Sequence, residues 1–472
     1  MSVMRNTKWV AVSQAAKVLS QLANIFVLAR ILPPSDYGLM AIAAVAINLA
    51  LLIRDMGTAS NIIQRPTLDH GIINAVFWLN IALGTVIFLI VLLLAPVIAT
   101  SFNNDQLIGV LSLIALTFPM ASSSAIHQAL LERESKFKLL AKIEAFSALL
   151  AITVSLVAAW SGWGVYSLVI QVLVQAISVT VLLWINAPWK PSLDPQLYRL
   201  KELFHFSGNM AGYQLVSFAF RNADAVIIGK LLSSSALGVY SMAYKIMLFP
   251  IQNISWITTR AIFPLLSRCQ HDLFEVRKLY LSALKGVSFF TAPLMTVLYV
   301  TRHDFILVSL GDKWGMITDL LIFMTPIGYL QAVSGTTGPV FMALGKTGFL
   351  FKFGIFGAVI HIILFIIGAQ SGILEVTQCY LIASVVVTFL TFVFANKAMM
   401  LSTRDMLVTA LPSVTLSLYA GSICLLFDQI FPIVNSVARF FTDCLVFSLS
   451  YLVLIYILSP EHLHFLRRHK VR

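Results

Sequence analysis

Two stretches of this chain match across a constant separation. RILPPSDYGLMAIA occupies residues 30–43 and KLLSSSALGVYSMA occupies residues 230–243, an offset of 200 with no gap. The identical pairs are Leu32/Leu232, Ser35/Ser235, Gly38/Gly238 and Ala43/Ala243, while Arg30/Lys230 keeps its charge. Because apolar segments match easily by chance, an internal repeat needs support from polar positions as well.

The segments that precede the two stretches supply that support. In the first, polar residues spaced by 3, 4 and 3 fall on one face of a helix. They are Gln14, Lys17, Gln21 and Asn24. At the same offset the second segment has Gln214, Ser217, Arg221 and Asp224. Both helices therefore carry a polar stripe in the same register, which indicates a duplicated architecture.

The composition indicates a membrane protein. Of the 472 residues, 59% are hydrophobic and 11% are charged, whereas soluble domains carry about 25% charged residues. Apolar segments of about 20 residues, long enough to span a bilayer, recur along the whole chain. We place about fourteen of them, roughly at 9–32, 37–63, 73–99, 107–131, 139–159, 163–185, 204–229, 235–262, 282–300, 317–343, 348–368, 374–396, 405–427 and 434–458.

The basic residues support this count. With fourteen spans, 21 of the 32 Lys and Arg residues fall in loops on one side, and Lys230, Arg302 and Lys313 fall on the other. Since cytoplasmic loops concentrate Lys and Arg, both termini are predicted to be cytoplasmic. The same distribution explains the net charge of +12 without a nucleic-acid partner, because no basic patch lies on a soluble face.

The repeat and the span count together predict an all-α membrane fold with two six-helix lobes. Six spans separate the two polar stripes, so the lobes should share one orientation, as parallel repeats about an axis along the membrane normal do. The predicted parts are an N-lobe at residues 1–200, a C-lobe at 201–400, and two C-terminal helices with a basic tail at 401–472.

Charged residues inside predicted spans are the candidate functional groups, because such charges are costly in lipid and mark transport pathways. Lys17, Arg54, Arg221 and Lys245 lie on equivalent spans of the two lobes and predict a basic cavity for an anionic, phosphate-bearing substrate. The alternative is that they form ion pairs that lock helices together. Glu144 and Asp443 lie near span ends, where snorkelling to the interface would satisfy them.

The remaining candidates line the same predicted cavity. Tyr240 and Tyr244 are one turn apart beside Lys245 and are interpreted either as substrate contacts or as ordinary packing. Gln14, Gln21, Asn24 and Gln214 complete the polar lining. Asp55 and Asp224 are the predicted ion-coupling carboxylates. No catalytic residue, metal ligand or cofactor is predicted: nucleotide-binding and zinc motifs are absent, and the four cysteines form no CxxC pair.

Several motifs resemble a known family. They are ARILPPSDYGLMA at 29–41, DMG at 55–57, IIQR at 62–65, RNADAVIIGKLL at 221–232, LGVYSMAYK at 237–245, FPLLSR at 263–268, LGDKW at 310–314 and the turn Gly345-Lys346-Thr347. Over about the first 350 residues the chain resembles the polysaccharide transporters, lipid-linked oligosaccharide flippases of the colanic-acid-exporter type, in the superfamily of the multidrug and toxin extrusion transporters. Residues 233–235, SSS, replace an expected glycine-containing turn, so this turn is interpreted as tolerant.

The resemblance implies the function. We expect a monomeric, multi-pass protein of the bacterial inner membrane that moves undecaprenyl-diphosphate-linked repeat units from the cytoplasmic to the periplasmic leaflet for exopolysaccharide or O-antigen biosynthesis. It would work beside polymerase and export machinery, and Arg54 corresponds to a basic residue that holds the diphosphate in related flippases. The alternatives are a drug or metabolite cation antiporter of the same fold, a membrane glycosyltransferase or polysaccharide polymerase, and a non-transporting scaffold.

Overall fold

A computed structural model describes residue 22, residues 24–54, residues 69–194, residue 218 and residues 221–458. Within these ranges the chain is helical and contains no β-strand. The chain divides into two compact units, Met1–Gly238 and Val239–Arg472. The predicted all-α class is confirmed, and the predicted division at residues 200 and 400 stays a prediction.

The described part of the first unit opens with a π-helical turn, Asn24–Leu28, that runs into a single helical turn, Ala29–Ile31. The longer helices of this unit are α1 (Pro34–Arg54), α2 (His70–Ser101), α3 (Gln106–Ala115), α4 (Thr117–Arg133), α5 (Phe137–Trp160), α6 (Val165–Asn186) and α7 (Ala223–Leu231). Gly84 lets α2 approach α4 closely, since a Cβ there would collide with the Ser122 hydroxyl. Small residues allow such approaches between membrane helices.

Helix α8 (Ser234–Arg268) begins in the first unit and leads into the second. The second unit then has α9 (Leu273–Val300), α10 (Arg302–Ser309), a 3₁₀ turn (Asp312–Trp314), α11 (Met316–Gly335), α12 (Thr337–Ala343), α13 (Thr347–Ala369), α14 (Ile373–Met399), α15 (Thr403–Ile430) and α16 (Ser436–Leu458). Tyr280, Leu284, Phe341 and Met399 lie in the core of this unit. The turn predicted at Gly345 is confirmed, with a φ of +69° that favours glycine.

The outer surfaces of the helices are apolar. Ten helical segments of the described ranges are long and apolar enough to cross a membrane, where α3 with α4 and α11 with α12 each count as one segment. In α2 the most apolar window has a mean hydropathy of 3.0 and is only 22% buried, and Leu93 is 76% exposed. Helices present such surfaces to lipid because their backbone hydrogen bonds are satisfied internally. The protein is therefore a multi-pass membrane protein, while the total of fourteen spans stays a prediction.

Two predicted helix boundaries were wrong. Helix α9 begins at Leu273 rather than at residue 282, because the Asp272 carboxylate caps it by accepting hydrogen bonds from the amides of Phe274 and Glu275. Helix α8 runs to Arg268 rather than ending at residue 262. Hydropathy detects the part of a helix that spans lipid, whereas polar and charged residues continue these helices beyond it.

Candidate functional site

The starts of α1 and α8 meet where the two repeated stretches lie. A Cβ on Gly38 would collide with the backbone carbonyl oxygen of Ser234, and a Cβ on Gly238 would collide with that of Pro34. Only glycine leaves room for a neighbouring backbone at this distance. We call this contact, formed by Pro34, Gly38, Ser234 and Gly238, the glycine crossing.

The glycine crossing is reciprocal. Gly38 corresponds to Gly238, and Pro34 corresponds to Ser234, at the repeat offset of 200. Gly38 approaches the carbonyl of Ser234, and Gly238 approaches the carbonyl of Pro34. Equivalent glycines therefore approach equivalent carbonyls. A two-fold related contact has this form, in which residue i meets j and j meets i. The contact has the form that the predicted repeat register requires.

The first turns of α1 and α8 are stabilised in different ways. Pro34 is the first residue of α1, where its fixed φ suits the first turn and its missing N–H is not needed. At the start of α8 the Ser233 hydroxyl accepts a hydrogen bond of 3.1 Å from the Ala236 amide. The serine turn that replaces an expected glycine therefore has a capping role, because serine at this position satisfies an otherwise free helix N–H.

Much of the predicted site lies outside the described residues. Gln14, Lys17, Gln21, Gln214 and Asp55 are in this group. Of Asn24 and Arg54 the structure describes the backbone: Asn24 opens the π-helical turn, and Arg54 is the last residue of α1. π-Turns are rare and occur frequently at functional sites. The roles of these seven residues stay predictions.

Arg221 and Asp224 are described at the beginning of α7. Arg221 is exposed, and a turn at Asn222 separates it from the helix. Asp224 stands in the first turn of α7, where its Oδ1 accepts a hydrogen bond of 2.8 Å from the Ala225 amide. A carboxylate at this position is stabilised by the positive end of the helix dipole. This gives Asp224 a local structural partner and leaves its predicted coupling role a prediction.

Tyr240, Tyr244 and Lys245 are described on α8 in the second unit. The two tyrosine rings stack, with centroids 6.2 Å apart and an interplanar angle of 10°. Tyr240 is only 1% exposed, Tyr244 is partly exposed, and Lys245 is exposed. The burial of Tyr240 fits the packing interpretation of this pair, whereas Tyr244 and Lys245 remain accessible. Substrate binding by these residues stays a prediction.

The sequence-based interpretation of Asp443 was wrong. This residue is 1% exposed on α16 instead of snorkelling to the membrane surface. It lies in a cluster of charged side chains with Asp304, Asp428 and Arg439. The sequence carries one signal of this cluster. Arg439 and Asp443 are four residues apart, so they lie on one face of the helix.

The family of the chain is identified by its sequence. A sequence model of the family described as polysaccharide biosynthesis protein matches residues 27–319, which is more than half of the chain. The chain belongs to the polysaccharide biosynthesis protein family. The matched range includes both sides of the glycine crossing, so the repeat is within the region shared by the family.

The chain is similar to bacterial proteins named for the biosynthesis of cell-surface polysaccharides. It is 26% identical over 388 residues to the lipopolysaccharide biosynthesis protein WzxC of Escherichia coli K12, covering 82% of this chain and 79% of that protein. It is also 26% identical over 388 residues to the teichuronic acid biosynthesis protein TuaB of Bacillus subtilis 168, covering 81% and 80%. The solved structure of the lipid II flippase MurJ in an inward closed conformation matches with a TM-score of 0.75 and 16% identity, over 98% of this chain and 100% of that chain. This structural match confirms the predicted fold class.

Proposed function

We propose that the protein is a lipid flippase that moves oligosaccharide repeat units, linked to a polyprenyl diphosphate such as undecaprenyl diphosphate, across the bacterial inner membrane. The observation that carries this proposal is the family match over residues 27–319. The relatives named for lipopolysaccharide and teichuronic acid biosynthesis support a saccharide cargo, and the fold shared with a lipid II flippase supports a lipid-linked one.

The headgroup of such a cargo is a strongly charged diphosphate, which must be neutralised inside the bilayer. We assign this task to Lys17, Arg54, Arg221 and Lys245. Arginine binds phosphate oxygens through its planar fork, and lysine acts as a compact charge. The amides Gln14, Gln21, Asn24 and Gln214 would hydrogen-bond the sugars, with Tyr244 beside them. Asp55 and Asp224 are the proposed sites of ion coupling.

The proposed cycle is alternating access. With both termini in the cytoplasm, the connections that precede α1 and α8 lie on the extracytoplasmic side of the membrane. The glycine crossing, which these connections enter, would then lie on the side toward which the cargo leaves. The protein acts as a monomer, and a polymerase or export complex receives its product.

A deletion strain tests the proposal against its rivals. Lipid-linked oligosaccharides are extracted from the strain, and their composition and leaflet are determined with a membrane-impermeant saccharide probe. Accumulation of the complete repeat unit in the cytoplasmic leaflet is expected. A truncated repeat unit would instead identify a transferase, and a normal pool in the outer leaflet would contradict flipping. A strain with the gene restored is the control.

A further inference from the structure

A groove in the second unit lies where three membrane helices begin or end. It has a volume of about 540 Å³ and is bounded by the first half of α9 and by the connection from α14 to α15. Ligand sites in proteins commonly have volumes of about 300–1,000 Å³. None of the residues that line the groove is among those assigned to the cargo.

One wall of the groove is a single face of α9. Its side chains recur every three or four residues, which places them on one side of the helix. They are Phe274, Arg277, Lys278, Leu281, Ser282 and Lys285. The other side of the same turns, with Tyr280 and Leu284, is buried in the core of the unit. The groove face of α9 therefore carries three cations on an otherwise unpartnered surface.

Arg277 is held in place at the mouth of the groove. Its Nε donates a hydrogen bond of 2.6 Å to the carbonyl oxygen of Met399, the last residue of α14, where helix carbonyls have no partner within the helix. Within the described ranges, the two Nη groups of Arg277 form neither a hydrogen bond nor an ion pair. These donors are available to an anion, and their planar arrangement suits phosphate oxygens.

Lys285 is a second cation, deeper in the groove. It follows Arg277 by eight residues, or about 12 Å along the helix. The side chain is half-buried and forms no ion pair in the part of the chain that the structure describes. No charged residue occurs between it and Arg302, so Lys285 stands at the edge of the apolar span. A lysine in such a place extends its ammonium group toward the lipid headgroups.

Two carboxylates face the same region. Glu275 binds Lys278 at 3.1 Å, and Asp405 lies on the wall formed by α15. The three cations of the groove outnumber these two carboxylates. The groove thus has an excess positive charge, which comes from Arg277 and Lys285.

The same groove presents apolar side chains. Met400, which ends α14 with a φ of +52°, is 73% exposed, and Phe274 on the facing helix is 69% exposed. Leu281 and Leu401 line the groove between the charged groups. A small soluble anion would gain nothing from these side chains. An anionic phospholipid has a phosphate and acyl chains together, and basic pockets between membrane helices bind such headgroups.

We propose that the groove binds an anionic glycerophospholipid. Arg277 and Lys285 bind the headgroup phosphate, and Phe274, Leu281 and Met400 contact the acyl chains. The bound lipid bridges α9 and the connection from α14 to α15, which the Arg277 side chain already joins. On the predicted topology this lipid comes from the cytoplasmic leaflet.

Native mass spectrometry of the purified full-length protein, titrated with lipid in detergent, tests the proposal. Wild type is expected to bind the first molecule of dioleoyl phosphatidylglycerol about 30-fold more tightly than dioleoyl phosphatidylcholine, because two uncompensated cations contribute about 1 kcal/mol each. Lys285→Gln should reduce this preference to about fivefold. Lys285→Arg should retain it, and all variants should unfold at the same temperature in phosphatidylcholine.

The matched control is Lys397→Gln, an exposed lysine in the last turn of α14 that lies outside the groove. It should bind phosphatidylglycerol as wild type does. Equal affinity of wild type for the two lipids, an unchanged preference in Lys285→Gln, or an equal loss in Lys397→Gln would overturn the proposal. Displacement of the lipid by equimolar inorganic phosphate would overturn it in favour of a soluble anion. Tighter binding of poly-glutamate than of phosphatidylglycerol would do so in favour of an acidic protein partner.

Discussion

Gly38 and Gly238 occupy equivalent positions of the internal repeat and meet each other across the glycine crossing. An ideal Cβ on Gly238 would lie 3.0 Å from the amide nitrogen of Gly38 and would collide with the Pro34 carbonyl. Carbonyl oxygens that stand this close to glycine Cα hydrogens form weak attractive contacts at helix–helix interfaces. The crossing is thus stabilised by backbone atoms and depends on the absence of two side chains.

Alanine at either glycine should separate α1 from α8. We expect Gly38→Ala and Gly238→Ala each to destabilise the protein by about 1–3 kcal/mol, as overpacking does, and to slow transport in proteoliposomes. The double variant should cost less than the sum, because the first substitution already opens the shared contact. Thermal unfolding of the purified protein measures both effects.

Gly338→Ala is the matched control for the crossing. Gly338 lies in α12, and a Cβ there would have nothing within 4 Å. Alanine favours helix over glycine by about 0.5–1 kcal/mol, so this variant should be as stable as wild type or slightly more stable. Equal destabilisation at Gly38 and Gly338 would show that the crossing has no special role.

Charge reversal at the proposed diphosphate site should stop transport without loss of protein. Arg54→Glu and Arg221→Glu each replace attraction to the headgroup by repulsion, and export of repeat units in cells is expected to fall to background. Membrane levels of the protein, measured by immunoblot, should match wild type. Arg404→Glu, a reversal at an exposed position in the first turn of α15, should leave export unchanged. Normal export from the Arg54→Glu strain would remove this residue from the site.

Removal of the Arg439 guanidinium should destabilise the second unit strongly. In Arg439→Leu, the buried Asp304 and the nearly buried Asp428 lose their cation, which we expect to cost about 2–4 kcal/mol after allowance for the partial exposure of Arg439. Loss of the exposed Lys278 partner in Lys278→Leu should cost less than about 1 kcal/mol. Unfolding in denaturant compares the two variants, and similar costs would contradict a buried charge cluster.

Asn74 should hold the segment that follows α6 against α2. Its Oδ1 accepts a hydrogen bond of 2.9 Å from the Ser192 amide, and its Nδ2 donates to the Asp194 carbonyl. Asn74→Ala removes both hydrogen bonds of a side chain that is 1% exposed, at a cost of about 0.5–1.5 kcal/mol for each bond. Hydrogen exchange at Ser192 is expected to accelerate markedly.

Asn186→Ala is the control for Asn74, because the Asn186 side chain is exposed and, among the described residues, bonds within α6 to the Leu182 carbonyl at 2.8 Å. Its removal should change neither stability nor exchange at Ser192. Unchanged exchange in Asn74→Ala would mean that the neighbouring Trp78, whose Nε1 donates to the Ser192 carbonyl at 2.8 Å, holds the segment alone.

Properties that depend on local composition and spacing were predictable. Long apolar stretches specify membrane helices, because lipid demands internally bonded backbone. The offset of 200 pairs Gly38 with Gly238 from the sequence alone, because a duplicated fold repeats its close backbone contacts at equivalent positions. The polar stripes that include Lys17 and Arg221 likewise predict the location of the cargo site.

The sequence by itself thus determined the class of the protein, the register of its repeat and the family to which it belongs. Tertiary structure alone decided the environment of Asp443. Its position two turns into an apolar helix fitted either snorkelling or burial, and the choice depends on α10 and the end of α15, which lie far away along the chain. Burial and charge pairing are set by which helices pack together, so hydropathy and spacing within one helix could not show that Asp443 is buried or that Arg439 pairs with Asp428 and Asp304.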